Sequence, residues 1–374
     1  MKKLLLAILL LPAIHLHGQD FFRDKPDKEK NYILLANPTA VNIETINFLV
    51  QKNLLKVNLK KTEFVGVYHQ NQRYDFNEAA EYIRSNQLNG FHLHEVKGNL
   101  HEDKLFENNH ITGELKLLFD NSAGIFFFGG PDIQPSVYGE ENLYSDVTDP
   151  GRHLFEVTFL FHLLGGYVNE SFEPFLEEKP EYFITGFCLG MQTMNVATGG
   201  TLIQDIPAQV YGATSPEATI ETGRENMHRN YWQLISDDRQ LAGINFHTIR
   251  YTQHPFFGKK VKVKKDSRPL VYSSHHQAAG KTGKGLEVTA LSADGQIVEG
   301  MAHNLYPNVF AVQFHPEVPA LYENREPRKI FPTDQPLPYH QIIGKEGVRF
   351  HNSYWKYISK AVRKAGKKQM DRQQ

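Results

Sequence analysis

The chain has 374 residues, 40% hydrophobic and 22% charged, with 41 Lys and Arg against 42 Asp and Glu. That composition fits a globular protein with one large core or two small ones, and the balanced charge excludes a global basic footprint for nucleic acid. A single cysteine, Cys188, excludes a disulfide framework within the chain.

In chain order, Met1-Lys2-Lys3 is a positive start followed by the apolar run Leu4 to Leu11, which Pro12 to Leu16 extends weakly. This pattern predicts a cleavable secretory signal over residues 1–18, cut after Gly18, and too short for a membrane span. No cysteine follows the run to take a lipid, so an exported protein with no stable membrane anchor is expected. Residues 19–31 are polar and read as a loose lead-in. Tyr32 to Ala36 reads as a strand, Val41 to Leu55 as a helix, Phe64 to Tyr68 as a strand, Phe76 to Ile83 as a helix and Phe91 to Val96 as a strand. Leu105 to Phe119 has helical spacing, Gly124 to Phe128 is a fully apolar strand, Arg152 to Leu164 a helix, and Tyr182 to Gly186 another strand. Strands alternating with helices, and apolar throughout, predict an α/β fold with a mostly parallel central sheet and helices on both faces, as in flavodoxin-like proteins.

After Gly200 the pattern shifts to short strands at Leu270 to Tyr272, Leu286 to Leu291, Gln296 to Met301 and Val309 to Phe314, with Asp294-Gly295 as a hairpin turn. Residues 205–268 carry no clear periodicity and read as an insertion on the sheet edge. The basic run Lys259 to Lys265 alternates with valine and reads as an exposed strand face. Residues 322–340 read as a surface loop, and Phe350 to Val362 as a final helix with a frayed Lys- and Gln-rich end. The expected organisation is one domain over 19–374 with that insertion and a helical tail. His92, His94 and His101 have no metal-ligand spacing, so neither a metal site nor a cofactor is expected.

The chemistry centres on Gly186-Phe187-Cys188-Leu189-Gly190, a G-x-C-x-G elbow between a strand and a helix. A nucleophile on such a turn stands clear of its strand, and the following helix N-terminus favours its thiolate. A cysteine nucleophile needs a base and a group to orient that base. His315 closes an apolar strand in Phe314-His315-Pro316-Glu317, and Glu317 is near enough to fix its tautomer. Phe128-Gly129-Gly130-Pro131 ends another strand. Backbone N–H groups of Gly129 and Gly130, with that of Leu189, fit an oxyanion hole, to which Pro131 has no N–H to add.

With these residues the sequence resembles the class I glutamine amidotransferase-like family, and within it the gamma-glutamyl-gamma-aminobutyrate hydrolase and gamma-glutamyl hydrolase branch. The resemblance extends over Gly129-Gly130-Pro131-Asp132 to Tyr138, over Asp149, Arg152 and Glu156, over Met191 to Ile206, and over Ser273-Ser274-His275-His276-Gln277. It spans roughly 120–317, and the N-terminal third matches in pattern only. It implies the class I amidotransferase type of fold, and a substrate pocket lined by Gln192, His276, Asp132 and Tyr138. Asp149 reads as a helix cap, and Arg152 with Glu156 as a helical pair. Position 189 is Leu where gamma-glutamyl-gamma-aminobutyrate hydrolases usually have Arg, which is closer to gamma-glutamyl hydrolases of the folate type and puts the expected substrate contacts in question.

The reading is therefore an exported cysteine hydrolase acting on a gamma-glutamyl-type amide in a small molecule or peptide, through Cys188, His315 and Glu317 and a thioester. Two other enzymes fit the same residues: an amidase of peptidoglycan stem peptides, and a glutaminase-type amidotransferase domain supplying ammonia to a synthetase. A binding module on an inactive hydrolase fold is the non-enzymatic alternative. No nucleic-acid partner is expected. The leaving amine and the oligomeric state carry no sequence signal.

Overall fold

The computed structural model describes residues 20–24 and 26–373. The expected leader over 1–18 lies outside the described residues. Among those described, no helix is long and apolar enough to cross a membrane.

Twelve strands follow in chain order: β1 (Asn31–Ala36), β2 (Thr62–His69), β3 (Phe91–Val96), β4 (Gly124–Phe127), β5 (Phe183–Phe187), β6 (Leu202–Ile203), β7 (Asn245–Tyr251), β8 (Leu270–Ser273), β9 (Ala278–Ala279), β10 (Leu286–Ser292), β11 (Val298–His303) and β12 (Val309–Val312). Ten of them form one sheet in the order β3-β2-β1-β4-β5-β12-β11-β10-β7-β8. The first six are parallel, and from β12 onward every pairing is antiparallel. β6 and β9 pair separately.

The helices are α1 (Ala40–Gln51), α2 (Phe76–Ser85), α3 (Thr112–Asn121), α4 (Pro150–Leu164), α5 (Leu189–Ala197), α6 (Ile206–Tyr211), α7 (Pro216–Glu221), α8 (Trp232–Ile235), α9 (Tyr339–Ile342) and α10 (Gly344–Gln373). Their starts follow from short polar side chains. Thr39 accepts from the Asn42 amide, Asp75 from that of Asn77, and Asp149 caps α4 with Pro150 preset at its first position. Strand alternation splits the core in two. Leu34 and Ala36 of β1 join the cluster under α3, α4 and α5, while Ile33 and Leu35 join the one under α1, α2 and α10. Burial on both faces is why the central parallel strands β1, β4, β5 and β12 read as nearly unbroken apolar runs.

Four expectations need correction. Phe21–Asp24 form a 3₁₀ turn in which Phe22 is buried and its amide donates to Nδ1 of His94 at 3.1 Å, so the lead-in is packed there. The 205–268 segment does more than decorate an edge: its strand β7 lies inside the sheet between β10 and β8. The basic run is no strand, because Phe256–Val261 forms a wide π-type turn ending at Lys262 with φ 66°. The last helix continues to Gln373, where Gln369 is buried and donates to the Asp120 carbonyl at 2.6 Å.

Candidate active site

Three adjacent parallel strands, β4, β5 and β12, end side by side, and their exits carry Gly129, Cys188 and His315. Cys188 follows β5 directly and precedes α5, with φ 51° and ψ −108°, a backbone conformation few side-chain-bearing residues adopt. Its N–H donates to the Val312 carbonyl at 3.0 Å, which ties the elbow to β12. The turn is tight enough to need its two glycines. A Cβ at Gly186 would stand 2.4 Å from the Gly190 carbonyl carbon, and one at Gly190 would stand 2.5 Å from the Phe127 oxygen.

His315 leaves β12 and is held on three sides. Its Nδ1–H donates to Oε1 of Glu317 at 2.7 Å, its amide donates to the Tyr272 carbonyl at 3.0 Å, and the Tyr272 ring meets its imidazole edge to face at 5.7 Å. Burial works against a charge on this ring, but the Glu317 carboxylate and the Cys188 sulfur outweigh it and hold His315 well above its ordinary pKa. The imidazolium is the favoured form. The Pro316 carbonyl, between His315 and Glu317, accepts from Nε1 of Trp355 in α10 at 3.0 Å and from the Tyr322 hydroxyl. The C-terminal helix therefore fixes the turn that aims His315.

The glycine loop sits against the other side. A Cβ at Gly129 would lie 2.7 Å from Cε1 of His315, so only glycine lets the imidazole approach. Beneath it, the buried Arg152 guanidinium pairs with Glu156 at 2.8 Å and donates through Nη2 to the carbonyls of Phe128 and Gly129 at 2.9 and 3.1 Å. Asp149 caps α4 through the Arg152 amide. With the loop's carbonyls turned toward Arg152, the amides of Gly129 and Gly130 have no acceptor among the described residues, nor does that of Leu189, the first amide of α5.

The four residues expected to line the pocket separate into two groups. His276 and Asp132 meet, with Nε2 of His276 3.0 Å from Asp132 Oδ2, while its Nδ1 lies 3.0 Å from Asp205 Oδ2. Burial lowers the pKa of this ring, but the two carboxylates prevail and raise it. Asp132 also accepts from the Asp146 amide at 2.8 Å. Gln192 and Tyr138 face inward. Gln192 is buried and its Nε2 donates to the Gln277 carbonyl at 3.2 Å, and Tyr138 packs on the core with a buried hydroxyl.

Several participants escape the sequence reading. Ser274 Oγ stands 3.1 Å from Nε2 of His315, and Asp205 braces His276. The clamp by Arg152 and the Trp355 contact need the fold, because each joins residues remote in sequence. Gln204 accepts from the amides of Leu143 and Tyr144, and Gln277 donates to Ser145, so the loop bearing Asp132 is stitched to the segment bearing His276. A group of histidines outside those weighed in the sequence also comes together. His92 pairs with Glu63 and His94 with Glu114, but His228, His247, His275 and Glu299 converge elsewhere, all buried, with one donor atom each within 4.8 Å of the others.

The profile of one family, Peptidase C26, matches residues 109–317. Among curated relatives, a candidate glutamine amidotransferase of Mycobacterium tuberculosis is 28% identical over 201 residues, covering 54% of this chain and 52% of that protein. A candidate glutamine amidotransferase-like protein of Lactococcus lactis, YvdE, is 32% identical over 194 residues, covering 52% of this chain and 65% of its own. Protein NtpR of Enterococcus hirae is 30% identical over 202 residues, covering 53% and 68%. The chain thus spans about half to two thirds of the length of these relatives. The matched span is more than half of this chain and contains the glycine loop, the elbow and the His315 turn, and on that ground the chain belongs to the Peptidase C26 family.

Proposed function

We propose that the protein is an exported cysteine hydrolase that cleaves a gamma-glutamyl-type amide. The observation that carries the reading is the convergence of Cys188, Gly129 and His315 at three neighbouring strand ends, with Glu317 bonded to the far nitrogen of His315 at 2.7 Å. The Cys188 thiolate attacks the amide carbonyl carbon, and the carbonyl oxygen becomes an oxyanion facing the amides of Gly129, Gly130 and Leu189. The tetrahedral species collapses as the C–N bond breaks, and the His315 proton goes to the departing amine. Water then gives a proton to His315, adds to the thioester and releases the acid and the Cys188 thiolate.

The gamma-glutamyl preference rests on charge at the rim. Asp132, Asp205 and His276 form a mixed-charge group beside the elbow, suited to a substrate end that bears both an ammonium and a carboxylate. Export rests on the apolar run after Met1-Lys2-Lys3, and makes water the acceptor. The test is mass spectrometry of the protein after brief exposure to gamma-glutamyl amines, muropeptides and glutamine. A gamma-glutamyl adduct on Cys188, absent in Cys188→Ala, is expected. Acylation by muropeptides alone would move the substrate to cell-wall peptides, and the absence of any adduct or turnover would sink the hydrolase reading.

A further inference from the structure

Outside the elbow, the antiparallel half of the sheet holds a buried polar cluster. There His247 of β7, Glu299 of β11, His275 just past β8 and His228 from the loop before α8 converge, with exposures of 0%, 0%, 3% and 2%. Oε1 of Glu299 lies 3.1 Å from Nδ1 of His228 and 3.6 Å from Nε2 of both His247 and His275. None of these contacts has hydrogen-bond geometry, and both oxygens of Glu299 are left without a partner. Buried polar groups are rarely left so, and six such atoms on these four residues ask for an occupant.

The tautomers sharpen the case. Nδ1 of His275 is 2.8 Å from the Gln277 carbonyl, and Nδ1 of His247 is 3.2 Å from the Thr248 carbonyl. Each Nδ1 therefore carries a proton, and Nε2 of each ring is left to face the carboxylate. Lone pairs facing an anion repel unless a cation lies between them. Imidazole held by a carbonyl on one nitrogen and free on the other is the arrangement of a metal-bound histidine.

We propose that His228, His247, His275 and Glu299 form a closed, structural site for a divalent cation of the zinc class. A tetrahedral ion with bonds of about 2.0–2.1 Å spaces its ligands about 3.3 Å apart, and the three distances to Glu299 bracket that value. The histidine pairs, up to 4.8 Å apart, close by ring rotation. The lack of exposure leaves no open position for substrate, which assigns the ion to structure rather than to turnover. Its four ligands come from four segments, so it staples the 205–277 excursion to β11. His275 also sits between Ser274 and His276, whose side chains reach His315 and Asp132, so the ion anchors one wall of the cleft from behind.

The test uses the untagged full chain, purified from medium supplemented with zinc. Elemental analysis should give about one zinc per chain. Replacement by Co²⁺ should produce visible absorption bands of a tetrahedral N/O site. Dialysis against a chelator should lower Tm by at least about 5 °C, restored by Zn²⁺. Cys188→Ala should keep the metal, while Glu299→Gln and His247→Ala should reduce it to below about 0.1 per chain. If those variants fail to fold, the wild-type chain decides alone. Less than about 0.1 zinc per wild-type chain, with no Tm response to Zn²⁺ or Co²⁺, overturns the site. Full metal content in folded Glu299→Gln and His247→Ala overturns it as well.

Discussion

The two halves of the sheet use their polar residues in opposite ways. In the parallel half, Gly129, Cys188 and His315 lie just beyond strand ends, on turns along one edge of the sheet. In the antiparallel half, His247 and Glu299 project from within strands and are sealed off. The difference is geometric. A turn at the C-terminal edge of parallel strands is free of neighbours above it, whereas a side chain on a strand face is covered by the next layer. The segment 273–277 belongs to both halves. Successive side chains there point to opposite sides, so Ser274 and His276 face the cleft while His275 faces the closed cluster. One half should therefore govern turnover and the other the integrity of the fold.

The sharpest way to break that division is Cys188→Ala. It should reduce kcat/KM for a gamma-glutamyl amide by about 10⁴-fold or more, and leave the urea midpoint nearly unchanged. A large loss of stability would mean the elbow serves the fold as well. Next comes Glu317→Gln, expected to cost roughly 10³-fold and to change the pH profile. Glu317 holds His315 protonated above its ordinary range, and that proton goes to the leaving amine. Activity should fall as pH rises through the raised pKa, and the variant's alkaline limb should move to lower pH. The same contact stabilises the fold fully below the unfolded pKa of about 6.5, and is lost as pH rises through the folded value. The stability gap between wild type and variant should therefore be wider near about pH 6 than near about pH 10 in urea titrations. An unshifted limb would remove Glu317 from the proposed set.

Gly129→Ala is the third test. Its Cβ would press on Cε1 of His315 from 2.7 Å and push the ring off line. A displacement near 1 Å at a reacting group costs about 10²-fold, so kcat/KM should fall by that order while stability changes by no more than about 1 kcal/mol. Equal loss of activity and stability would show that the loop is core rather than cleft.

The same division explains what was legible in the sequence. The central parallel strands are apolar on both faces, and Tyr32 to Ala36 or Gly124 to Phe127 announce themselves by composition. The elbow and the His315 turn are contiguous motifs, so their members could be read together, although their roles remain proposals. β7 stayed hidden because Asn245 and His247 are buried polar residues on its inward face, and they erase the apolar alternation that marks a strand. The closed cluster was invisible for a related reason. Its members are spread from 228 to 299, and only strand pairing brings them together. The end of α10 was read as frayed because its inward stripe continues through Ala361, Ala365 and Gln369, small or polar residues that do not stand out against the lysines.

That helix also offers the smallest and most discriminating comparison, because it runs from beside β8 to beneath β1 and so touches both halves. Trp355 holds the Pro316 carbonyl and the Tyr322 hydroxyl, while Gln369, about 21 Å farther along the helix axis, holds the Asp120 carbonyl. Trp355→Phe keeps most of the buried ring but removes one of the two donors to the Pro316 carbonyl, leaving the Tyr322 hydroxyl, and Gln369→Ala removes one of the two side-chain donors to the Asp120 carbonyl, leaving Lys179 Nζ. Each should cost about 0.5–1.5 kcal/mol in urea unfolding, the net loss of one hydrogen bond. Their effects on turnover should differ. Pro316 lies between His315 and Glu317, so Trp355→Phe should reduce kcat/KM about tenfold with little change in KM, since it misaligns a group used in the transition state. Gln369→Ala should leave kcat/KM unchanged. If both variants lose activity in proportion to stability, α10 acts only as ballast for the core. If only Trp355→Phe does, the helix aims the imidazole, and part of the cleft's precision is set by a residue that never meets substrate.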